Sequence, residues 1–229
     1  MSKRKPKDQD KPWMRKVVGR DAAKTRTIRN IFLIYCEGAN TEPEYFKSFP
    51  VNTETEVEAL GFGRSRLALV KHILKLVEAK EMLANQRKYD PERQIWCVFD
   101  RDERYFPKED KDFDAAVALA LKKGLRVAWS NDCFELWFYL HDHYIDSKVL
   151  RTHYYEYLSG ELKIDYEADG KGKEFCRFMY GRLADRQEKA IRNAVRLLRI
   201  HREEPRPSRQ NPSTTVHELV IELNKCLKR

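Results

Sequence analysis

Short apolar runs alternate with amphipathic stretches over roughly the first 145 residues of the chain. Four segments have the length and composition of β-strands: 29–36, 51–59, 94–99 and 125–129. All but the second are almost wholly apolar, which is typical of strands covered on both faces of a parallel sheet. Four further segments have helical spacing: 41–48, 65–77, 113–123 and 133–141. The repeated order of strand and helix predicts an α/β fold.

Several residues of this region fit the ends of helices. Thr41 is predicted to cap the first helix, with Glu44 at the spacing of a capping box. Ser65 is expected to cap the second helix, and Gly124 is expected to end the third. Ser130 is expected to open the fourth.

Beyond Asp146 the pattern predicts helices alone. A tyrosine-rich helix at 149–158 and a polar loop at 164–173 precede one long helix at 174–201. A linker with three prolines then leads to a last amphipathic helix at 216–227. The chain is therefore divided into three parts: a basic N-terminal arm (1–29), an α/β core (30–145) and an α-helical C-terminal extension (146–229).

The composition of the 229 residues, 41% of them hydrophobic, is that of a folded protein. No segment approaches the ~20 apolar residues of a membrane span, and the basic N-terminus lacks the apolar stretch of a secretory signal. We therefore expect a cytoplasmic protein without a membrane partner. The five cysteines are widely spaced and form no C-x-x-C pair, so we expect buried thiols rather than disulfides or zinc ligands.

The net charge of +9 is concentrated at the N-terminus. The first 30 residues hold eleven lysines and arginines against three aspartates, which leaves the rest of the chain close to neutral. A basic arm of this kind either binds nucleic-acid phosphates or is simply solvated, and the sequence leaves both interpretations open.

Two of the buried strands end in acids. Glu37 follows the first strand, and Asp100 and Asp102 follow the third. Ligands of open parallel α/β sheets bind beyond the carboxyl ends of the strands, so these acids converge if the two strands are neighbours. Asp100 and Asp102 share a face if the strand conformation persists. Crowded carboxylates need a cation to offset their repulsion, and oxygen ligands suit Mg²⁺ or Mn²⁺.

A site of this kind supports phosphoryl transfer or phosphodiester hydrolysis. The metal polarises the phosphoryl oxygen and lowers the pKa of the attacking water. The alternatives are ordinary ones, because a D-x-D after a strand is often only solvated and acids also cap helices. Two buried strands that both end in acids favour the metal site.

Four motifs occur in order along the chain: CEGANTEPEYF, VFDRDE, WSNDCFELWFYLH and NPSTTVHELV. In these motifs the chain resembles the RloB family of bacterial proteins, over roughly residues 31–227. The core of that family looks like the Toprim domain of topoisomerases, primases and OLD nucleases. The resemblance implies a Toprim-like, four-stranded parallel sheet flanked by helices.

The resemblance also implies roles for individual residues. Glu37, Asp100 and Asp102 would hold one or two divalent metals, and Glu37 would also act as a general acid or base. Glu135 would join them in the catalytic set. Residues expected to support the site from behind are these: Gly38, Glu42, Ser130 and Asn131. Asp132 stands where the S-N-P-x-F-E pattern of the family has proline, so its role stays open, as either a further ligand or a helix cap.

Two of the supporting residues have physical interpretations of their own. Gly38 suits a turn that packs closely against a phosphate, where a side chain would not fit. Glu42 could support the metal ligands or simply belong to the helix cap.

A basic ridge is predicted on the long helix. Its residues recur every three or four positions: Arg182, Arg186, Lys189, Arg192, Arg196 and Arg199. The ridge would steer nucleic acid into the site, or it would only keep an exposed helix hydrated.

Two classes of function follow. The first is a metal-dependent nuclease that cleaves tRNA or DNA in anti-phage defence, for which the resemblance implies an ATPase partner of AAA or ABC type. The second is a non-catalytic, nucleic-acid-binding adaptor of a defence complex. The intact acids favour the nuclease. Nucleotidyl transfer, as in primases, is a weaker third option, and homo-oligomerisation stays open.

Overall fold

The structure is a computed structural model that describes residues 28–84, 92–102, 107–170 and 172–228. The predicted basic arm, except for its last two residues, lies outside these ranges, so its role stays a prediction. The strands are β1 (Asn30–Cys36), β2 (Thr55–Gly61), β3 (Glu92–Asp100), β4 (Arg126–Asn131) and β5 (Ser213–Thr214). The helices are α1 (Thr41–Lys47), α2 (Arg66–Ala84), α3 (Pro107–Lys122), α4 (Glu135–Tyr139), α5 (Arg151–Leu162), α6 (Tyr166–Asp169), α7 (Lys173–Leu183), α8 (Gln187–Ile200) and α9 (Val216–Asn224).

The strands form one sheet in the order β2-β1-β3-β4-β5. The first four run parallel to one another, and β5 pairs antiparallel with β4. The predicted α/β fold is thus confirmed. The four-stranded parallel sheet implied by the resemblance is present, and the short β5 adds a fifth strand to it.

Successive residues of β1 enter two separate cores, one on each face of the sheet. Phe32 and Ile34 belong to one core, and Leu33 and Tyr35 to the other. Strand β3 alternates in the same way. Because both faces are covered, the fully buried positions of these two strands are apolar, which explains the continuous apolar runs in the sequence.

The two cores are covered by different helices. Side chains of α2 and α3 pack in the core that contains Leu33. The core that contains Phe32 takes side chains from α1, α4, α5, α7, α8 and α9. The C-terminal part of the chain therefore builds one face of the sheet together with α1 and α4. No observation tests the boundaries of the three predicted parts.

Tyr45 fastens α1 to α4. Its hydroxyl accepts a hydrogen bond from Trp137 Nε1 at 3.0 Å, and its ring meets the edges of Phe134 and Phe138. All four side chains are almost fully buried. Edge-to-face aromatic contacts of this kind add to the free energy of burial. They fix the relative position of two short helices that both border the carboxyl edge of the sheet.

Two predicted helix caps were wrong. Thr41 is the first residue of α1, Asn40 is its N-cap, and no side chain caps the helix by a hydrogen bond. Ser130 lies inside β4, and α4 begins only at Glu135. Ser130 is drawn into the strand because it pairs with Thr214 of β5. Gly124, in contrast, ends α3 in a left-handed conformation with φ of 73°, as its prediction required.

The single long helix predicted at 174–201 was also wrong. A 3₁₀ turn at Ala184–Arg186 separates α7 from α8. The prediction of helices alone beyond Asp146 fails at β5, and α6 lies within the predicted loop. Apolar spacing is helical on both sides of the 3₁₀ turn, so the pattern alone does not reveal the break.

All five cysteines lie in the described part of the chain, and each is a buried free thiol, as predicted. Among the helices of that part, none combines the length and the apolar character needed to cross a membrane.

Gly61 at the end of β2 permits a close approach of the loop that follows β1. A Cβ atom at this position would lie 2.3 Å from the carbonyl oxygen of Gly38 and 2.7 Å from Cα of Ala39. We expect Gly61→Ala to lower the free energy of unfolding by about 1–3 kcal/mol, because backbone atoms must move to admit the methyl group. Urea unfolding of the purified variant measures this change.

Gly160→Ala is the matched control. Gly160 lies in α5, where a Cβ atom would meet nothing within 4 Å. Because alanine is the better helix former, this variant is expected to be as stable as the wild type or more stable by up to ~1 kcal/mol. Equal stabilities of the two variants would show that the loop after β1 is not packed tightly against β2.

Candidate active site

The pairing of β1 with β3 brings Glu37 and Asp100 to one edge of the sheet. Cys36, the last residue of β1, lies opposite Val98 of β3. The amide of Glu37 continues the ladder by donating to the carbonyl of Val98 at 2.8 Å. Asp100 is the last residue of β3. The two acids thus meet at the carboxyl edge of the sheet, as the sequence predicted, although their roles stay predictions.

A cleft with a volume of about 300 Å³ opens at this edge. Its walls come from the loop after β1, the first turn of α1, the end of β3, the start of α4 and one side of α5. The acids that line it are Glu42, Asp100, Asp102 and Glu135. Four carboxylates in a space of this size repel one another strongly unless cations or protons offset their charge.

Asp100 has one carboxylate oxygen committed to the protein and one that is not. Its Oδ2 accepts a hydrogen bond from the backbone amide of Phe134 at 2.9 Å. Its Oδ1 is buried and has no hydrogen-bond partner. Burial raises the pKa of Asp100 well above its ordinary value, and the surrounding acids, with Glu42 foremost, add to the rise.

Glu37 shows the same pattern more weakly. Its Oε2 is buried without a hydrogen bond, and the nearest cation, Arg66 Nε, lies 3.9 Å away. Burial raises the pKa of Glu37 to about 7, although Arg66 acts in the opposite direction, and the charge of Asp102 raises it further. A carboxyl group with a pKa near 7 can take up or release a proton at neutral pH.

Glu42 lies directly over Gly38. A Cβ atom at Gly38 would come within 2.1 Å of Glu42 Oε2, so the carboxylate occupies the space that a side chain would need. Burial raises the pKa of Glu42 to about 7, against hydrogen bonds from the backbone that lower it, and Glu135 raises it further. Glu42 lines the cleft itself, whereas the sequence suggested only a supporting or capping position.

Asp102 departs from the predicted geometry. Strand β3 stops at Asp100, and Asp102 has a φ of 52°, so the two aspartates do not follow one continuous strand face. The Oδ1 atom of Asp102 accepts a hydrogen bond from Arg151 Nη2 at 2.6 Å, and its Oδ2 lies 3.8 Å from Arg66 Nη2. Asp102 is therefore engaged by two guanidinium groups.

Arg66 and Arg151 were not anticipated from the sequence. Arg66 is buried and donates to the carbonyl oxygens of Asp100 and Arg101, which fixes the end of β3. Arg151 lines the cleft. Each is the first residue of its helix, where the dipole disfavours a cation. An arginine at the N-terminus of a predicted helix was therefore the signal in the sequence from which an acidic partner in another segment could have been inferred.

Glu135 and Asp132 reach the cleft region from the segment after β4. Glu135, at the start of α4, accepts a hydrogen bond from the Tyr166 hydroxyl at 3.0 Å. Asp132 is buried, its Oδ1 lies 3.5 Å from Arg151 Nη2, and its carbonyl accepts from the Asp102 amide. The peptide bond between Asn131 and Asp132 is cis.

Ser130 and Asn131 face the C-terminal motif rather than the cleft lining. Ser130 Oγ lies 3.1 Å from Thr214 Oγ1, and Asn131 Nδ2 donates to the carbonyls of Pro207 and Ser208 at 3.0 Å each. These contacts attach the segment that contains NPSTT to the end of β4. A supporting role for both residues stays a prediction.

The predicted basic ridge is divided between α7, the 3₁₀ turn and α8. Arg186 contacts the carboxylate of Asp142, and Lys189 donates to the carbonyl of that residue at 2.6 Å. Arg196 stacks on the ring of Tyr144 at 3.9 Å. The other three residues of the ridge are exposed: Arg182, Arg192 and Arg199. Arg182 and Arg192 each form a long ion pair with a nearby acid. One unbroken ridge is therefore not present, and nucleic-acid binding by these residues stays a prediction.

A search among known proteins places the chain in a family. The model of a family described as RloB-like protein matches residues 32–223. The chain belongs to the RloB-like family. The match includes all the acids of the cleft and both guanidinium groups that contact them. No curated protein and no solved structure matches the chain.

Two carboxylate oxygens of this RloB-like chain have the chemistry of ligands for a divalent cation. Within residues 28–84, 92–102, 107–170 and 172–228, no three acid, histidine or cysteine side chains are grouped closely enough to hold one metal ion. The buried oxygens without hydrogen bonds, Asp100 Oδ1 and Glu37 Oε2, are nevertheless suitable ligands. Mg²⁺ is commonly bound by one or two carboxylates, with water and substrate phosphate completing its coordination.

The raised pKa values predict how the stability of the metal-free protein depends on pH. Glu37 and Glu42 have pKa values of about 7 in the folded protein, against an ordinary value of 4.5. Between these values the folded state binds more protons than the unfolded state, so the free energy of unfolding falls as pH rises. We expect Glu42→Gln to remove on the order of 1–3 kcal/mol of this fall.

The measurement is urea unfolding in EDTA at about pH 5 and about pH 7.5, for the wild type and Glu42→Gln. Exposed Glu54→Gln is the control and should keep the wild-type slope, because Glu54 lies outside the cleft. A wild-type stability that rises over this interval, or an unchanged slope in Glu42→Gln, would contradict the assignment.

Proposed function

We propose that this protein is a Mg²⁺- or Mn²⁺-dependent nuclease of the Toprim type that hydrolyses phosphodiester bonds in tRNA or DNA. The observation that carries the proposal is the pair of buried carboxylate oxygens without hydrogen bonds, on Glu37 and Asp100, at the ends of two adjacent parallel strands. A buried carboxylate oxygen without a partner is strongly unfavourable, and a divalent cation satisfies it.

The acids at the carboxyl edge of the sheet divide the work of hydrolysis. Glu37 and Asp100 would hold the cation, which when bound supplies charge neutralisation at the phosphoryl oxygens and acidifies water. Water attacks phosphorus, the bond from phosphorus to the leaving oxygen breaks, and that oxygen gains a proton. The proton released by the water needs an acceptor, and Glu42, which is not one of the two cation ligands and has a pKa of about 7, can take it at neutral pH.

The charge distribution supports a nucleic-acid substrate. The first 30 residues carry most of the net charge of +9, and Arg192 and Arg199 are exposed on α8. A role in anti-phage defence, in the cytoplasm and with an ATPase partner of AAA or ABC type, is proposed from the likeness of the motifs to the RloB family and its Toprim relatives.

One observation favours a second candidate, the non-catalytic adaptor. The carboxylate of Asp102 is held by Arg151 at 2.6 Å, so one of the three predicted metal ligands is engaged by a cation of the protein itself. An adaptor that had given up metal binding could keep such an ion pair. It would not need the unpartnered oxygens of Glu37 and Asp100, however, so the nuclease is the better supported function.

The test is cleavage by purified protein with Mg²⁺ or Mn²⁺ and three substrates: total tRNA, plasmid DNA and single-stranded DNA. The wild type is expected to cleave at least one of them. Glu37→Gln and Asp100→Asn are expected to lower the rate on the order of 10²-fold or more, because each removes a ligand of the cation that activates the water. Glu54→Gln should cleave at the wild-type rate.

Two results would contradict the proposal. If both cleft variants cleave as fast as the wild type, the site is misassigned. If the wild type cleaves none of the substrates, either alone or in the presence of an ATPase encoded beside it, the adaptor becomes the better interpretation.

A further inference from the structure

Arg151 occupies an unusual position in the cleft. Its side chain is one-third exposed, and its guanidinium lies 2.6 Å from the carboxylate of Asp102 and 3.5 Å from the buried carboxylate of Asp132. It is the first residue of α5, where the helix dipole gives a cation no support. Its charge is therefore held in place by the acids of the cleft rather than by its own helix.

Arg151 is the sole cation among the described residues that line the cleft. Arg66 is close by, but it is 6% exposed and is bound to the backbone carbonyls at the end of β3. Of the residues that the structure describes, only Arg151 combines a positive charge with access to the cleft. A guanidinium group matches the geometry of carboxylate and of phosphate equally well.

We propose that Arg151 is the phosphodiester-binding residue of the cleft and that it exchanges Asp102 for a substrate phosphate, so that nucleic-acid binding releases Asp102 to the divalent cation. This inference rests on the proposed nuclease function and deepens it. Arg151 acts on the metal through Asp102, and on the substrate by direct contact.

The geometry permits this exchange. Asp102 is 30% exposed, so its carboxylate can leave Arg151 without entering an apolar environment. It lies beyond the last residue of β3, and the amide of Asp102 keeps its hydrogen bond to the carbonyl of Asp132 when the carboxylate moves. Asp132 remains within reach of Arg151, and the five N–H donors of a guanidinium allow one acid and one phosphate to be bound together.

The exchange couples two binding events. With Arg151 on Asp102, the cation meets Glu37 and Asp100 alone, in agreement with the absence of a three-ligand group among the described residues. With Arg151 on phosphate, Asp102 becomes the third ligand. Nucleic acid must then tighten cation binding, and by linkage the cation must tighten nucleic-acid binding by the same factor.

Calorimetric titration with Mn²⁺ tests the coupling without requiring cleavage. The probe is a short single-stranded phosphorothioate DNA, which resists hydrolysis. In the wild type this DNA should lower the Kd of Mn²⁺ about fivefold or more, within the usual range of coupling between sites. In Arg151→Gln, Mn²⁺ alone should bind about fivefold more tightly than in the wild type, and the DNA should no longer change its Kd.

Arg177→Gln is the matched control. Arg177 forms an ion pair of the same length, 2.6 Å, with Glu44, outside the cleft lining. This variant should keep the wild-type coupling. If Arg151→Gln binds Mn²⁺ as the wild type does and keeps the effect of DNA, the proposal is overturned.

A second variant decides the matter if Arg151→Gln does not fold because Asp132 loses its neighbour. Asp102→Asn releases Arg151 from its nearest partner, so the DNA should bind about fivefold more tightly in EDTA than it binds the wild type. Unchanged or weaker binding overturns the proposal. If the wild type cleaves nucleic acid but shows no coupling between DNA and Mn²⁺, the role of Arg151 is rejected and the nuclease is kept. If the wild type shows the coupling but cleaves nothing, only the nuclease is rejected.

Discussion

The parallel pairing of β1 with β3 is the constraint on which the candidate site depends. Its register places the residue after β1 beside the last residues of β3, so Glu37 and Asp100 must meet. Both strands are buried on both faces, and a slip of one residue would turn every side chain toward the wrong core. The hydrophobic cores thus fix the position of the acids.

Charge balance is the second consequence of this register. The sheet edge gathers five carboxylates: Glu37, Glu42, Asp100, Asp102 and Glu135. Two of them, Glu42 and Glu135, come from α1 and α4, which are joined through Tyr45. Arg66 and Arg151 offset part of the repulsion, and the raised pKa values of Glu37, Glu42 and Asp100 favour their protonation. Under the proposed function, a divalent cation would take over part of this charge balance.

The sequence predicts those features that depend on local pattern. The apolar runs at 29–36 and 94–99 give the two central strands, and Glu37 and Asp100 follow from where these runs end. The sequence does not predict contacts that depend on how a helix packs against a distant strand. Arg151 and Asp102 are 49 positions apart, and only the packing of α5 beside the end of β3 brings them together. Strand β5, with two residues, is too short for a periodic signal, and it explains why Ser130 belongs to a strand.

The central claim is that Glu37 and Asp100 together bind a divalent cation. Anomalous scattering from crystals soaked in Mn²⁺ tests it directly. A peak is predicted in the cleft, with Asp100 Oδ1 and a carboxylate oxygen of Glu37 each at about 2.0–2.3 Å from the metal. A crystal that shows Mn²⁺ bound elsewhere, or shows none in the cleft at a concentration that saturates known carboxylate sites, would contradict the claim.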